Sequence, residues 1–199
     1  MSNTDKGSFS KIKLIVGLGN PEKKLLGTRH NVGYWYLDKF IDKFQTTLAE
    51  EKKLNSLFSK VDYKDDQIFL MRPTFFINDS GKSINSFINY YKISIENVLV
   101  IHDDIDLDVG AVRLKFGGGH GGHNGLRDII NHLGKNYWRL RIGVGHPGEK
   151  SLVHNYVLNN PSKEEELDIN IAMNNSFDDI DILLDGEFDK YTKILHTRE

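Results

Sequence analysis

Two stretches of this chain are apolar on both faces, Lys13 to Leu18 and Val98 to Ile101. Such runs are typical of strands buried in the middle of a sheet that helices cover on each side. Elsewhere the apolar residues are periodic. Leu37, Phe40, Ile41 and Phe44 recur at helical spacing, as do Ile84, Phe87, Ile88 and Tyr91, then Leu126, Ile129, Ile130 and Leu133, and finally Phe177, Ile180, Leu183 and Leu184. Each set predicts a helix with one buried face. Phe58 to Tyr63 and Ile68 to Met71 read as two strands joined by a turn at Lys64-Asp65-Asp66, a hairpin. Val112 to Phe116 and Leu140 to Val144 add two further strands, Gln45 to Asn55 reads as a charged connection, and residues 1 to 10 as a flexible tail. Asn78 to Ser80 offer capping side chains for the helix that follows. Strand, loop and helix alternate throughout, which predicts a single three-layer α/β domain over residues 11 to 195, a twisted mixed β-sheet flanked by helices.

Composition narrows the class. A chain of 199 residues with 39% hydrophobic and 27% charged residues can bury a core within one domain. No run reaches the length of a membrane span, and Met1 to Lys11 is too polar for a secretion signal, so a cytoplasmic protein is expected. The absence of cysteine excludes disulfides, thiolate nucleophiles and Cys-ligated zinc. The net charge of −2 conceals a division: residues 1 to 160 carry 22 Lys and Arg against 17 Asp and Glu, residues 161 to 199 carry 4 against 11. The larger part is mildly basic, which permits a phosphate-bearing partner. The acidic end reads as solvated helix.

Polar residues gather where strands end. The most unusual such place is Phe116 to Leu126, which holds six of the eighteen glycines and runs directly into a helix. Backbone so free of Cβ atoms, followed by a helix N-terminus, presents N–H groups to an anion or a carbonyl oxygen. Other clusters are Asn20 to His30, Asn78, and His102-Asp103-Asp104. Gly17-Leu18-Gly19-Asn20-Pro21 begins like a dinucleotide fingerprint, but Glu22 stands where the third glycine is required, and no Gly-Lys-Ser/Thr closes the later loop as a phosphate-binding P-loop would. His120 and His123, with His102, Asp103, Asp104 and Asp106, can be drawn as a metal site, yet His-x-x-His in a glycine loop lacks the helical spacing of zinc enzymes, and no metal is expected. The plain reading of both histidines is that they hydrogen-bond backbone within the loop. His30 is better placed. A carboxylate at the end of a neighbouring strand, Asp103, would fix its tautomer and raise its basicity, as in a pair that activates water. With no Cys and no Gly-x-Ser-x-Gly, water is the expected attacker. Asn20, Asn78 and Asn124 are neutral donors and acceptors suited to a water and an amide-rich substrate.

These residues fall in a known order. Val16-Gly17-Leu18-Gly19-Asn20-Pro21, Thr28-Arg29-His30-Asn31-Val32-Gly33, Pro73-Thr74 through Asn78-Asp79-Ser80-Gly81, His102-Asp103-Asp104-Ile105-Asp106, Gly117 to Leu126, and Arg139-Leu140-Arg141-Ile142-Gly143-Val144-Gly145-His146-Pro147-Gly148 together resemble the bacterial-type peptidyl-tRNA hydrolases, over about residues 12 to 190. The resemblance implies hydrolysis of the ester between a peptide and the 3′ end of tRNA, by a cytoplasmic monomer without cofactor. It implies that His30 is the general base, Asp103 its orienting partner and Asn20 a group that positions water or substrate. Asn78 and Asn124 would grip the peptide, with His123 in the same substrate site, and Lys115 and Arg141 would hold the 5′ phosphate of the acceptor stem. One position departs from the pattern: Leu25 stands where the family commonly has tyrosine.

Overall fold

The computed structural model describes residues 11–197. The expected N-terminal tail, residues 1 to 10, lies outside them. Seven strands form one sheet: β1 (Leu14–Gly17), β2 (Ala49–Glu51), β3 (Ser56–Tyr63), β4 (Asp66–Pro73), β5 (Val98–Asp104), β6 (Val112–Phe116) and β7 (Trp138–Gly143), in the spatial order β2-β3-β4-β1-β5-β7-β6. The inner strands β4, β1, β5 and β7 run parallel, while β2, β3 and β6 join antiparallel at the two sides. The helices are α1 (Val32–Lys43), α2 (Ser80–Tyr91), α3 (Asn124–Leu133), α4 (Val153–Val157), α5 (Lys163–Phe177), α6 (Ile180–Leu184) and α7 (Phe188–Thr197).

The uninterrupted apolar runs have the expected explanation. On β1, Leu14 and Val16 enter a core with Ile84 and Phe87 of α2 and Ile129 of α3, while Ile15 between them enters a second core with Leu37 and Phe40 of α1. Alternate side chains thus serve opposite faces, and neither face meets water. The second core also takes Ile169 and Met173 of α5, Leu183 of α6 and Tyr191 of α7, and the Phe188 ring stacks on Trp138 at 4.0 Å. The mixed α/β sheet read from the sequence is therefore the sheet observed.

Several boundaries differ. Gln45 to Asn55 contains β2, a three-residue charged edge strand that pairs with β3 and has no alternation to betray it. The hairpin turn is only Lys64-Asp65, since Asp66 already pairs with Tyr63. β5 continues three residues past its apolar run because Asp103 and Asp104 still pair with Ile142 and Gly143 of β7, and β7 itself begins at Trp138 and ends at Gly143. The acidic end forms three helices, with Phe177 closing α5 before Ile180 opens α6. The expected side-chain cap on α2 is absent: Ser80 Oγ donates to the Ile77 carbonyl, and the N–H of Gly81 is instead satisfied by Asp128 of α3 at 2.8 Å. α3 packs against α2, so a carboxylate from the neighbouring helix takes the capping position.

Candidate active site

Parallel pairing brings the polar clusters together. β1, β4 and β5 point the same way, so Asn20 after β1, Asn78 after β4 and Asp103 near the end of β5 emerge at one edge of the sheet. Ligands bind at this edge in open α/β sheets. A glycine permits the rest. α1 crosses β1 and β5 so closely that a Cβ on Gly33 would collide with the Leu18 and Ile101 carbonyls. The 3-10 turn that leads directly into α1, Arg29–Asn31, is thereby set against the end of β5. His30 sits on that turn.

The turn is tied down at both sides. Arg29 is buried, donates to the carbonyls of Tyr156, Asn159 and Asn160, and pairs with Glu165 at 2.8 Å. Glu165 also completes the capping box of α5 with Ser162. On the other side Asn31, with no exposure, accepts from the N–H of Asn20 at 3.0 Å and donates to its carbonyl at 2.9 Å. Neither Arg29 nor Asn31 is distinguishable in sequence from an ordinary loop residue; their role follows from contacts across the fold.

His30 Nδ1 lies 2.8 Å from Asp103 Oδ1. The same oxygen is 3.1 Å from His123 Nε2, and the two imidazole centroids are 4.7 Å apart. His123 Nδ1 accepts from the Leu126 N–H at 3.3 Å, so in the neutral ring the proton sits on Nε2 and is donated to Asp103. His30 likewise donates through Nδ1, which leaves its Nε2 with a lone pair. Burial alone would raise the Asp103 carboxyl, but His30 and His123 outweigh it and hold it well below the usual carboxylate range. Burial would lower His30; the charge and hydrogen bond of Asp103 outweigh that, and its pKa is raised above the ordinary 6.5. A buried carboxylate flanked by two donors therefore makes the His30 ring a stronger base.

His102 behaves oppositely. Its Nδ1 donates to the Asp103 carbonyl at 2.6 Å, and burial, aided by His123, pushes its pKa down to about 4. It stays neutral and braces the β5 backbone. Of the residues drawn as a metal set from sequence, Asp103 and His123 bring side-chain ligand atoms together, and the third member is His30; the three atoms lie within 4.8 Å of one another. Both imidazoles present N–H groups to one carboxylate oxygen, an arrangement that shares protons. His120 keeps the plain role, accepting from the Gly122 N–H at 3.0 Å, whereas His123 reaches beyond its loop to Asp103.

Around this group lies a cleft of about 1070 Å³ whose walls include Asn20, His30, Asn78, Asp103, His123, Asn124, Lys115 and Arg141. All eight residues singled out from sequence thus share one cavity. Asn20 Oδ1 accepts from the Ile77 N–H at 3.0 Å, which orients the amide and leaves its NH2 as the group available to the cleft. Asn78 and Asn124 are exposed, and neither side chain is engaged by another described residue. Lys115 is exposed on β6, and Arg141 on β7 pairs through Nε with Asp104 at 2.7 Å. Leu25, Phe76 and Val157 give the cleft apolar wall as well.

A family model described as peptidyl-tRNA hydrolase matches residues 14–199. The chain belongs to the peptidyl-tRNA hydrolase family. Among curated relatives, the peptidyl-tRNA hydrolase of Ruthia magnifica subsp. Calyptogena magnifica is 46% identical over 189 residues, covering 94% of this chain and 99% of that protein. That of Neisseria meningitidis is 43% identical over 199 residues, the full length of both. The crystal structure of peptidyl-tRNA hydrolase from Acinetobacter baumannii superposes with a TM-score of 0.89 at 38% identity, covering 92% of this chain and 94% of that one. Membership in the peptidyl-tRNA hydrolase family accords with the resemblance seen in the ordered sequence blocks. Among the described residues no helix is long and apolar enough to cross a membrane.

Proposed function

We propose that this chain hydrolyses the ester bond joining a peptide to the 3′ end of tRNA, with His30 as general base and water as nucleophile. The observation that carries the mechanism is the buried Asp103 carboxylate 2.8 Å from His30 Nδ1, which leaves Nε2 as a basic lone pair on the wall of a cleft large enough for a peptide terminus. Nε2 takes a proton from water as the oxygen attacks the ester carbonyl, and the imidazolium formed is stabilised by Asp103. The Asn20 NH2, held by Ile77, is a donor for the water oxygen or the developing oxyanion, with Asn78 and Asn124 gripping the peptide. Collapse expels the 3′ oxygen, which recovers the proton from His30. The products are a peptide carboxylic acid and tRNA with a free 3′ hydroxyl. Lys115 and Arg141 on the same cleft supply charge for an acceptor-stem phosphate. The reaction needs no cofactor, and the protein works as a cytoplasmic monomer.

Cleavage of an N-blocked aminoacyl-tRNA in the presence of a chelator tests the activity and its independence of metal. His30→Ala should lower turnover by at least about 10²-fold while tRNA binding stays within a few-fold, because proton transfer is lost and contact is not. Turnover near the wild-type rate would sink the assignment of the base.

A further inference from the structure

Arg139, the second residue of β7, has 3% exposure, and among the described residues no carboxylate stands within ion-pair distance of it. Its two terminal nitrogens donate to the carbonyls of Gly119 and Gly118, at 2.5 and 2.6 Å, its flat face covers the Tyr137 ring at 4.7 Å, and its Nε has no partner. A buried guanidinium without a counter-charge destabilises the fold unless its donors are used elsewhere. Here they are used on the glycine-rich loop, whose other side-chain bonds lie at its far end, from the Gly122 N–H to His120 Nδ1 and between His123 Nε2 and Asp103. Gly117, Gly118, Gly121 and Gly122 all take positive φ, between 56° and 102°. A Cβ at Gly119 or Gly122 would meet nothing within 4 Å, so no packing holds the loop at these two positions. Backbone bonds fix only its two ends, Gly117 N–H to the Tyr137 carbonyl and His123 N–H to the His120 carbonyl, each at 2.9 Å.

We propose that Arg139 is the positioning residue of the glycine-rich loop, and that through the loop it sets His123 against Asp103 and Asn124 into the cleft. The planar fork of the guanidinium grips two successive carbonyls at once, which a single ammonium does not do. Displacing the loop by about 1 Å would separate His123 from Asp103 and move the peptide-gripping amide, a misplacement of the size that costs up to about 10²-fold in rate. The catalytic consequence rests on the peptidyl-tRNA hydrolysis proposed above; the structural part does not.

The experiment compares wild type with Arg139→Lys and Arg139→Gln by steady-state kinetics on N-blocked aminoacyl-tRNA and by amide hydrogen exchange. Both variants should lose about 10- to 100-fold in kcat with KM changed less than about threefold, and exchange at Gly118 to Gly122 should quicken about tenfold or more while β5 and β7 stay protected. Asn124→Ala added to Arg139→Lys should cost less than the sum of the two single changes, as expected of residues acting as a unit. Unchanged loop exchange, wild-type kcat, additive effects, or loss of the fold in both variants would each overturn the proposal, the last by assigning Arg139 to the core. Should the wild type itself prove inactive, the functional reading fails and the exchange measurement alone decides whether Arg139 holds the loop.

Discussion

A single oxygen of Asp103 receives hydrogen bonds from two imidazoles, and the consequences differ for the two rings. His123 accepts from the Leu126 N–H at Nδ1 and turns Nε2 to Asp103, so both of its ring nitrogens are engaged. His30 has nothing on Nε2 from the described residues, which leaves that nitrogen open for the role of base proposed for it. Its pKa is raised because Asp103 favours the charged ring more than burial disfavours it. A base with raised pKa is protonated up to higher pH, so the acid limb of the kcat/KM profile should lie above the ordinary value near 6.5. Asp103→Asn removes the raising charge and keeps the burial, which shifts that limb to lower pH. It also lowers the plateau by about 10²–10⁴-fold, since the imidazolium loses its stabilising partner. A pH–rate profile of wild type and variant checks both; an unmoved limb would mean that His30 is not the titrating group.

Elements in this protein are joined by side chains from outside themselves. The N-terminus of α2 has no cap from its own flanking residues and relies on Asp128 of α3, while Arg29 fastens the turn before α1 to the segment between α4 and α5. Asp128→Ala leaves the Gly81 N–H without its partner and should destabilise the protein by about 1 kcal/mol, with a fall in Tm of roughly 2–4 °C for a chain of this size. Thermal unfolding followed by circular dichroism measures this. A variant as stable as wild type would show that water replaces the cap at no cost.

Across the whole molecule the charge division becomes spatial. α5, α6 and α7, which carry the acidic surplus, bury Ile169, Met173, Leu183, Tyr191 and Leu195 against one sheet face, and none of their residues lines the cleft. The cleft keeps Lys115, Arg127, Arg141 and Lys150. An anionic partner therefore meets the basic edge without opposing the acidic helices. Lys115→Ala should weaken tRNA binding and reduce the slope of log K against log salt by about 1. Arg141→Ala is the less clean probe, because it also strips Asp104 of its ion pair. Binding measured between low and moderate salt distinguishes them; an unchanged slope for Lys115→Ala would remove it from the phosphate contacts.

Much of the architecture is written in local patterns. Apolar runs such as Leu14 to Val16 require burial on both faces whatever their neighbours, and the spacing of Leu126, Ile129, Ile130 and Leu133 makes one face of a helix, so the three layers were legible before any contact was known. The ordered blocks around Asn20, His30, Asn78, Asp103 and Asn124 likewise carried the family. Sequence did not disclose β2, whose pairing is backbone only, nor the partners of Asn31, Arg29, Asp128 and Arg139, which are polar residues defined by what they reach at distances of tens of residues along the chain. The position of His123 is of the same kind. In the chain it is one histidine in a glycine loop; only the parallel pairing of β5 with β1 and β7, and the loop held over β7, bring it to Asp103. Periodicity reports what a residue buries, because burial repeats with the geometry of its own helix or strand. Which donor meets which acceptor depends on the relative placement of elements distant in sequence, and the tertiary structure alone decides that.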